Sequence, residues 1–438
     1  MIIRSGTVVT MNDALDVVDA DVRVTAGRIS AIGRNLERER DEDVVEAAGA
    51  LVLPGFVQTH LHLCQTLFRG LADDLALLDW LRTRVWPLEA AHDAETLAAA
   101  ARLAAAELLL GGTTTVLTME TVHDTDAVFD AVAATGLRAI VGKCLMDVSG
   151  ETPARLYQAT RDAIDESLDL HRRWSGAADG RLGAALAPRF ALSCTREMLE
   201  AVADVSAREG LLIHTHASEQ RDEIALVRHL TGMDNLAYLA SLGLASERLC
   251  AAHCVWLTDD EMAIAAERRV QVLHCPGSNL KLGSGIAPVV RMRERGIRVS
   301  LGADGAACNN ALDMFREMRL AATLQAAQVS PGRLTARDAV WMATRAGAQT
   351  LGLDAEIGSV EVGKKADVIV VGVDDIRHAP GADPYSHVVY AAGPSDVRAT
   401  IVDGRLVARD GTLAWGERGA IAHEARSAAT RLMARAGL

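Results

Sequence analysis

The chain has no CxxC pair and no disulfide-framework spacing. Its seven cysteines, Cys64, Cys144, Cys194, Cys250, Cys254, Cys275 and Cys308, are an odd number scattered over 438 residues, and reduced thiols of a cytoplasmic protein are the expectation. No apolar run reaches the roughly 20 residues of a membrane span. The opening Met1-Ile2-Ile3-Arg4-Ser5-Gly6 lacks the pattern of a signal peptide. Positive charge is in deficit: 45 Lys and Arg stand against 58 Asp and Glu, a net of −13. That balance argues against nucleic acid or an acidic membrane as partner. There is also no internal repeat, low-complexity tract or long linker. Half of the residues are apolar, enough to fill a large core.

Three regions follow from the patterning. Residues 1–50 alternate apolar and polar with glycine breaks, and the same texture returns in residues 366–372 and 399–407, so both ends read as short β structure. Between them helical runs (94–110, 124–135, 154–174, 196–208, 259–268 and 313–325) alternate with strand-like runs (113–118, 137–145, 181–187 and 211–216). Such alternation argues for a parallel sheet. The expected fold is α/β: a (β/α)8 TIM-type barrel over 51–360, with a small composite β-sandwich built from 1–50 and 361–438 and a terminal helix.

Five apolar runs end in chemistry. Residues 51–57 lead to His60 and His62, and Leu211-Leu212-Ile213 to His214 and His216, with Glu219 three further on. Two more strand-like runs end at His253 and His274, and Ile297 to Leu301 leads to Asp304 before a glycine. On a strand, residues i and i+2 share a face, so each HxH aims two imidazoles at one point. Imidazole is a preferred ligand of zinc and related ions. A barrel brings the C-terminal ends of its strands to one face, where such groups can meet.

With those residues in view, the chain resembles the amidohydrolase superfamily. Within it the likeness is to the branch of S-adenosylhomocysteine, methylthioadenosine, 5′-deoxyadenosine, guanine and cytosine deaminases and the s-triazine hydrolases. The matching segments are residues 54–62, 214–219, 252–254, 274–283, 301–305, 358–368 and 402–405, and they span nearly the whole chain. The resemblance implies the barrel, the composite terminal module and one divalent metal ion per subunit, zinc first and iron as alternative. His60, His62, His216 and Asp304 are the implied ligands. Spacing alone does not separate His214 from His216; the HxxE motif of the branch selects His216. Two-metal members carry a bridging lysine on the fourth strand, where this chain has none. Lys143, on the strand before, is the remaining candidate.

The implied catalytic groups are Glu219, His253 and Asp304. Glu219 would shuttle protons between water, ring nitrogen and leaving amine. His253 would orient or polarise the nucleophile, and Asp304 would double as base. His274 has no implied metal role and reads as a structural hydrogen-bonding residue. The other histidines, among them His92 and His378, fall on helices or loops and are expected to be solvated.

Substrate contacts split two ways. Trp80 and Glu89 match the aromatic face and ribose-binding carboxylate of adenosine-type deaminases. Gln65, Arg189 and Phe190 resemble the guanine deaminase pattern, where glutamine and arginine contact the purine and phenylalanine stacks on it. Arginine only donates, so it suits a ring carbonyl or acceptor nitrogen. The leading expectation is a hydrolytic deaminase of a 5′-modified adenosine, acting on a small molecule as a homo-oligomer. A guanine, oxopurine or pterin deaminase, an s-triazine hydrolase and a catalytically silent scaffold are the other readings.

Overall fold

A computed structural model of the chain describes residues 1–150, 152–381 and 383–438. At the N-terminus, β1 (Ile2–Val9), β2 (Val17–Thr25) and β3 (Arg28–Gly33) run antiparallel. Ala26 and Gly27 join β2 to β3 with φ of 49° and 80°, the left-handed pair whose twist suits a two-residue hairpin. β4 (Val44–Glu46) and β5 (Ala50–Pro54) lie parallel to β1.

Eight parallel strands follow, each hydrogen-bonded to the next: β6 (Phe56–Leu61), β7 (Thr113–Met119), β8 (Arg138–Leu145), β9 (Leu182–Pro188), β10 (Ile213–Ala217), β11 (Leu249–His253), β12 (Gln271–His274) and β13 (Arg298–Leu301). The last closes on the first, because the Asp304 amide donates to His60 O at 3.0 Å and Thr59 Oγ1 to Leu301 O at 3.1 Å. The approach needs a glycine: a Cβ at Gly302 would stand 2.6 Å from His60 O. Val57, Leu117, Ala185, Cys250, Ala252 and Leu273, from five different strands, pack together and fill the barrel below the site.

β14 (Val368–Gly372), β15 (Val397–Val402), β16 (Arg405–Arg409) and β17 (Thr412–Leu413) return to the N-terminal strands. β14 pairs antiparallel with β5, from Val368 opposite Pro54 to Gly372 opposite Ala50. Both termini therefore share one mixed sheet, its buried face built by residues such as Ile3, Val22, Val52, Val370 and Ile401. The helix Arg418–Ala436 ends the chain against Ala94–Leu110.

One helical expectation is corrected. The run 154–174 is not continuous: a short 3-10 turn spans Ala154–Leu156 and the helix begins at Thr160. Tertiary bonds pull out the residues between, since Gln158 N donates to Met146 O (2.9 Å) and Gln158 Oε1 accepts from Lys143 Nζ (2.6 Å). All seven cysteines are buried and unpaired. Among the described residues no helix is long and apolar enough to cross a membrane.

Candidate active site

β6 delivers His60 and His62 by a break in its register. Val57 faces the barrel interior, and strict alternation would turn His60 the other way. The pairing with β7 slips between Gln58 and Leu61, and the slip re-aims both imidazoles inward. Gln58 is held outside by Thr113 Oγ1 and Leu312 O. His253 and Asp304, at the ends of β11 and β13, take left-handed backbone with φ of 69° and 63°. Such conformations in non-glycine residues cost of order 1–3 kcal/mol and gather at functional sites.

The side chains converge. His60 Nε2 and His62 Nε2 each lie 3.3 Å from Asp304 Oδ1, and His62 Nε2 lies 3.3 Å from His216 Nε2. His253 Nε2 is 3.9 Å from Asp304 Oδ2 and 3.6 Å from Glu219 Oε2. Two overlapping triads, His60–His62–Asp304 and His60–His216–His253, each bring three ligand atoms close enough together to hold a metal ion.

We assign the tautomers from the partners of the other ring nitrogens. His62 Nδ1 donates to Met119 O (2.7 Å), His216 Nδ1 to Arg189 O (2.6 Å) and His214 Nδ1 to Thr118 O (3.2 Å), because a carbonyl only accepts. His214 Nε2 is then an acceptor, so His60 Nδ1 donates to it at 2.6 Å. His60, His62 and His216 thus turn bare Nε2 lone pairs to one centre, and His214 supports His60 from behind. With both rings neutral, the Nε2 lone pairs of His62 and His216 face each other across 3.3 Å. His60 Nε2 and His253 Nε2 are buried without a hydrogen-bond partner. That donor set fits a cation.

Electrostatics keep His60 and His216 neutral, whereas burial of the His62 imidazole is outweighed by Asp304, which raises it above its usual value. Burial, partly offset by Asp304, takes the His60 imidazole down to about 4, and burial likewise keeps His216 well below its usual value. Burial opposes ionisation of Asp304, yet His60 and His62 outweigh it and hold the carboxyl far below its usual range. Burial raises the Glu219 carboxyl, and Ser284 Oγ donates to its Oε1 at 3.2 Å.

The pocket beside this centre is bounded by Trp80, Phe190, Leu77, Leu81 and Leu282, with Arg189, Glu219 and His253 on its polar side. Glu89 and Gln65 are not on that wall. Glu89 stands behind Arg189, which pairs with it at 2.6 and 3.2 Å, and Gln65 Nε2 donates to Glu89 Oε1 at 3.0 Å. Lys143 is outside the cluster, its Nζ against Gln158 and 3.6 Å from Glu166.

Two expectations fail. His92 and His378 are buried rather than solvated; His92 sits between Cys64 O and Thr96 Oγ1, each at 3.1 Å. Neither ring nitrogen of His274 makes a hydrogen bond among the described residues, and burial takes the imidazole down to about 3. Sequence reasoning assigned no role to Glu120, which accepts from the amides of Leu63 (3.2 Å) and Cys64 (2.9 Å) and so pins the turn after His62. A carboxylate directly after a strand-like run was the available signal.

Comparison with known proteins follows the same lines. Residues 51–407 match the model of the amidohydrolase family. A 5-methylthioadenosine/S-adenosylhomocysteine deaminase of Symbiobacterium thermophilum is 40% identical, covering 99% of each chain. A 5′-deoxyadenosine deaminase of Methanosarcina acetivorans is 39% identical, over 100% of this chain and 99% of its own. The crystal structure of an adenosine deaminase from Xanthomonas campestris with bound zinc superposes with a TM-score of 0.93 at 33% identity, over 99% of this chain and 98% of that one. A closed parallel barrel, imidazoles and a carboxylate converging at its C-terminal face and a family match over most of the length lead to one conclusion: the chain belongs to the amidohydrolase family.

Proposed function

We propose that the protein is a hydrolytic deaminase of a 5′-modified adenosine (5′-deoxyadenosine, methylthioadenosine or S-adenosylhomocysteine) that releases ammonia. The observation that carries this reading is the set of bare Nε2 atoms of His60, His62 and His216 around Asp304, with Glu219 beside it. Full-length relatives bearing those names support the substrate class. In this reading His60, His62, His216 and Asp304 hold one divalent ion, zinc first and iron second. Bound there, the ion supplies a water whose pKa falls from 15.7 to about 7.

The chain's own groups divide the rest. Asp304 takes the proton of the attacking water. Glu219, whose carboxyl is raised by burial, gives a proton to the ring nitrogen and recovers one from the added hydroxyl as the carbonyl forms, while the proton taken up by Asp304 leaves with the amine as ammonia. His253 accepts a hydrogen bond from the nucleophile through Nε2. Trp80 and Phe190 flank the planar base. An ammonia-release assay over the three nucleosides, guanine, a pterin and an aminotriazine tests the reading. Turnover of a 5′-modified adenosine above the other compounds is expected, and none on any nucleoside overturns it.

One observation favours a second reading. Arg189 is on the pocket wall while Glu89 is held behind it, an arrangement suited to a ring carbonyl rather than a ribose. Turnover of free guanine above the nucleosides would put an oxopurine deaminase first.

A further inference from the structure

Deamination chemistry leaves the segment 274–283 without a task, yet it abuts two of the groups that converge. It forms a short helix, Pro276–Lys281, directly after β12. Ser278 Oγ donates to Asp304 Oδ2 at 2.6 Å, and Asn279 Oδ1 lies 2.8 Å from His253 Nδ1. The turn is itself clamped. Gly277 N donates to Glu317 Oε2 and Asn309 Nδ2 to Glu317 Oε1, both at 2.9 Å. A Cβ at Gly277 would come within 2.5 Å of Glu317 Oε1, so the contact needs glycine. Ser278, Asn279 and Glu317 are all buried, which leaves no solvent to replace these bonds.

We propose that Asn279 is a positioning residue that holds the His253 proton on Nδ1. The other nitrogen, Nε2, is then bare and aimed between Glu219 and Asp304. Among the described residues Asn279 Oδ1 is the one hydrogen-bond partner of this ring, which also stacks on His216 and ends its strand in left-handed backbone, where the β-sheet no longer dictates direction. An amide oxygen accepts, so it selects the Nδ1–H tautomer. The opposite tautomer would point an N–H at the centre and make His253 a donor where the reaction needs an acceptor. Glu317 acts one step further out by seating the turn that carries Asn279.

The inference deepens the proposed function and rests on it for its kinetic arm alone. Asn279→Ala removes the acceptor; Asn279→Asp keeps one in the same place. With a 5′-modified adenosine as substrate, Asn279→Ala is expected to lower kcat at least about tenfold, with KM within about threefold and metal content unchanged. Asn279→Asp should restore most of that loss. Metal-stripped protein labelled with 15N at histidine gives an independent reading: His253 protonated on Nδ1 in the parent and Asn279→Asp, and a tautomer mixture in Asn279→Ala. A parent-like kcat in Asn279→Ala, no rescue by Asn279→Asp, or a parent His253 protonated on Nε2 would each overturn the assignment. If the parent turns over no nucleoside, the proposed function fails while the spectra still decide the role of Asn279.

Discussion

Arg189, just past β9, and Glu89, on the helix Trp86–Ala90, form a two-pronged ion pair with N···O distances of 2.6 and 3.2 Å, closed off from solvent. Burial works against the guanidinium, and Glu89 outweighs it, raising Arg189 above its ordinary value. Arg189 also gives its main-chain oxygen to His216 Nδ1, so the pair bears on both the substrate wall and a candidate ligand.

Removing one member of a buried pair leaves the other charge stranded, typically at about 3–5 kcal/mol. Glu89→Ala should therefore lower stability by about that much in chemical denaturation, whatever the substrate is. If Glu89 also reaches a ribose, kcat/KM for the nucleoside should drop by a further ten- to a hundredfold, roughly the worth of one or two charge-assisted bonds. Equal losses on nucleoside and free base would mean that Glu89 acts through Arg189 alone.

About one equivalent of zinc or iron should copurify with each chain, measured by elemental analysis. His60→Ala and His216→Ala should lose metal and activity together, whereas His214→Ala should weaken metal binding by only about 10–100-fold, the range for a supporting partner. Two tightly held ions per chain would rule out the single-ion reading.

Glu219→Gln keeps the size and hydrogen bonding of the side chain but cannot carry a proton. General acid–base groups supply about 10²–10⁴ in rate, so kcat should fall at least about a hundredfold with metal content intact. A variant within about tenfold of the parent would assign proton transfer elsewhere.

His92 gives a pH test away from the pocket. Burial takes its imidazole from 6.5 down to about 4. Between those values the unfolded chain binds a proton that the folded one does not, so stability rises with pH. The contribution is complete above about 6.5 and lost as pH falls toward about 4. Relative to His92→Gln, the parent should gain on the order of 3 kcal/mol across that window in urea titrations. A constant difference would mean that His92 titrates as an exposed histidine does.

Much of this was legible in one dimension. Apolar runs of strand length alternating with alanine-rich helical runs announced the barrel, and each run's final polar residue announced the catalytic face. The likeness of residues 1–50 to the C-terminal strands foretold the shared sheet, because alternation records which strand face is buried. Other features left no periodic trace. The residues around Gln158 were read as helix because bonds to Met146 O and Lys143 Nζ, which override local propensity, link positions that no window joins. His92 looked like a loop histidine until packing enclosed it.

Linear order settles the kinds of group that reach the barrel mouth: imidazoles, Asp304 and Glu219, each at the end of an apolar run. Three-dimensional packing alone settles which atom of each group looks inward. His214 and His216 share a strand and a direction and each donates Nδ1–H to a carbonyl, and they differ because His60 donates to Nε2 of His214 while Nε2 of His216 is turned to the centre. The HxH of β6 faces the centre through a slip in pairing with β7 that leaves no mark on its own residues. The reason is physical: strand periodicity is a local property of the backbone, whereas tautomer, register and charge pairing depend on neighbours supplied by distant parts of the chain.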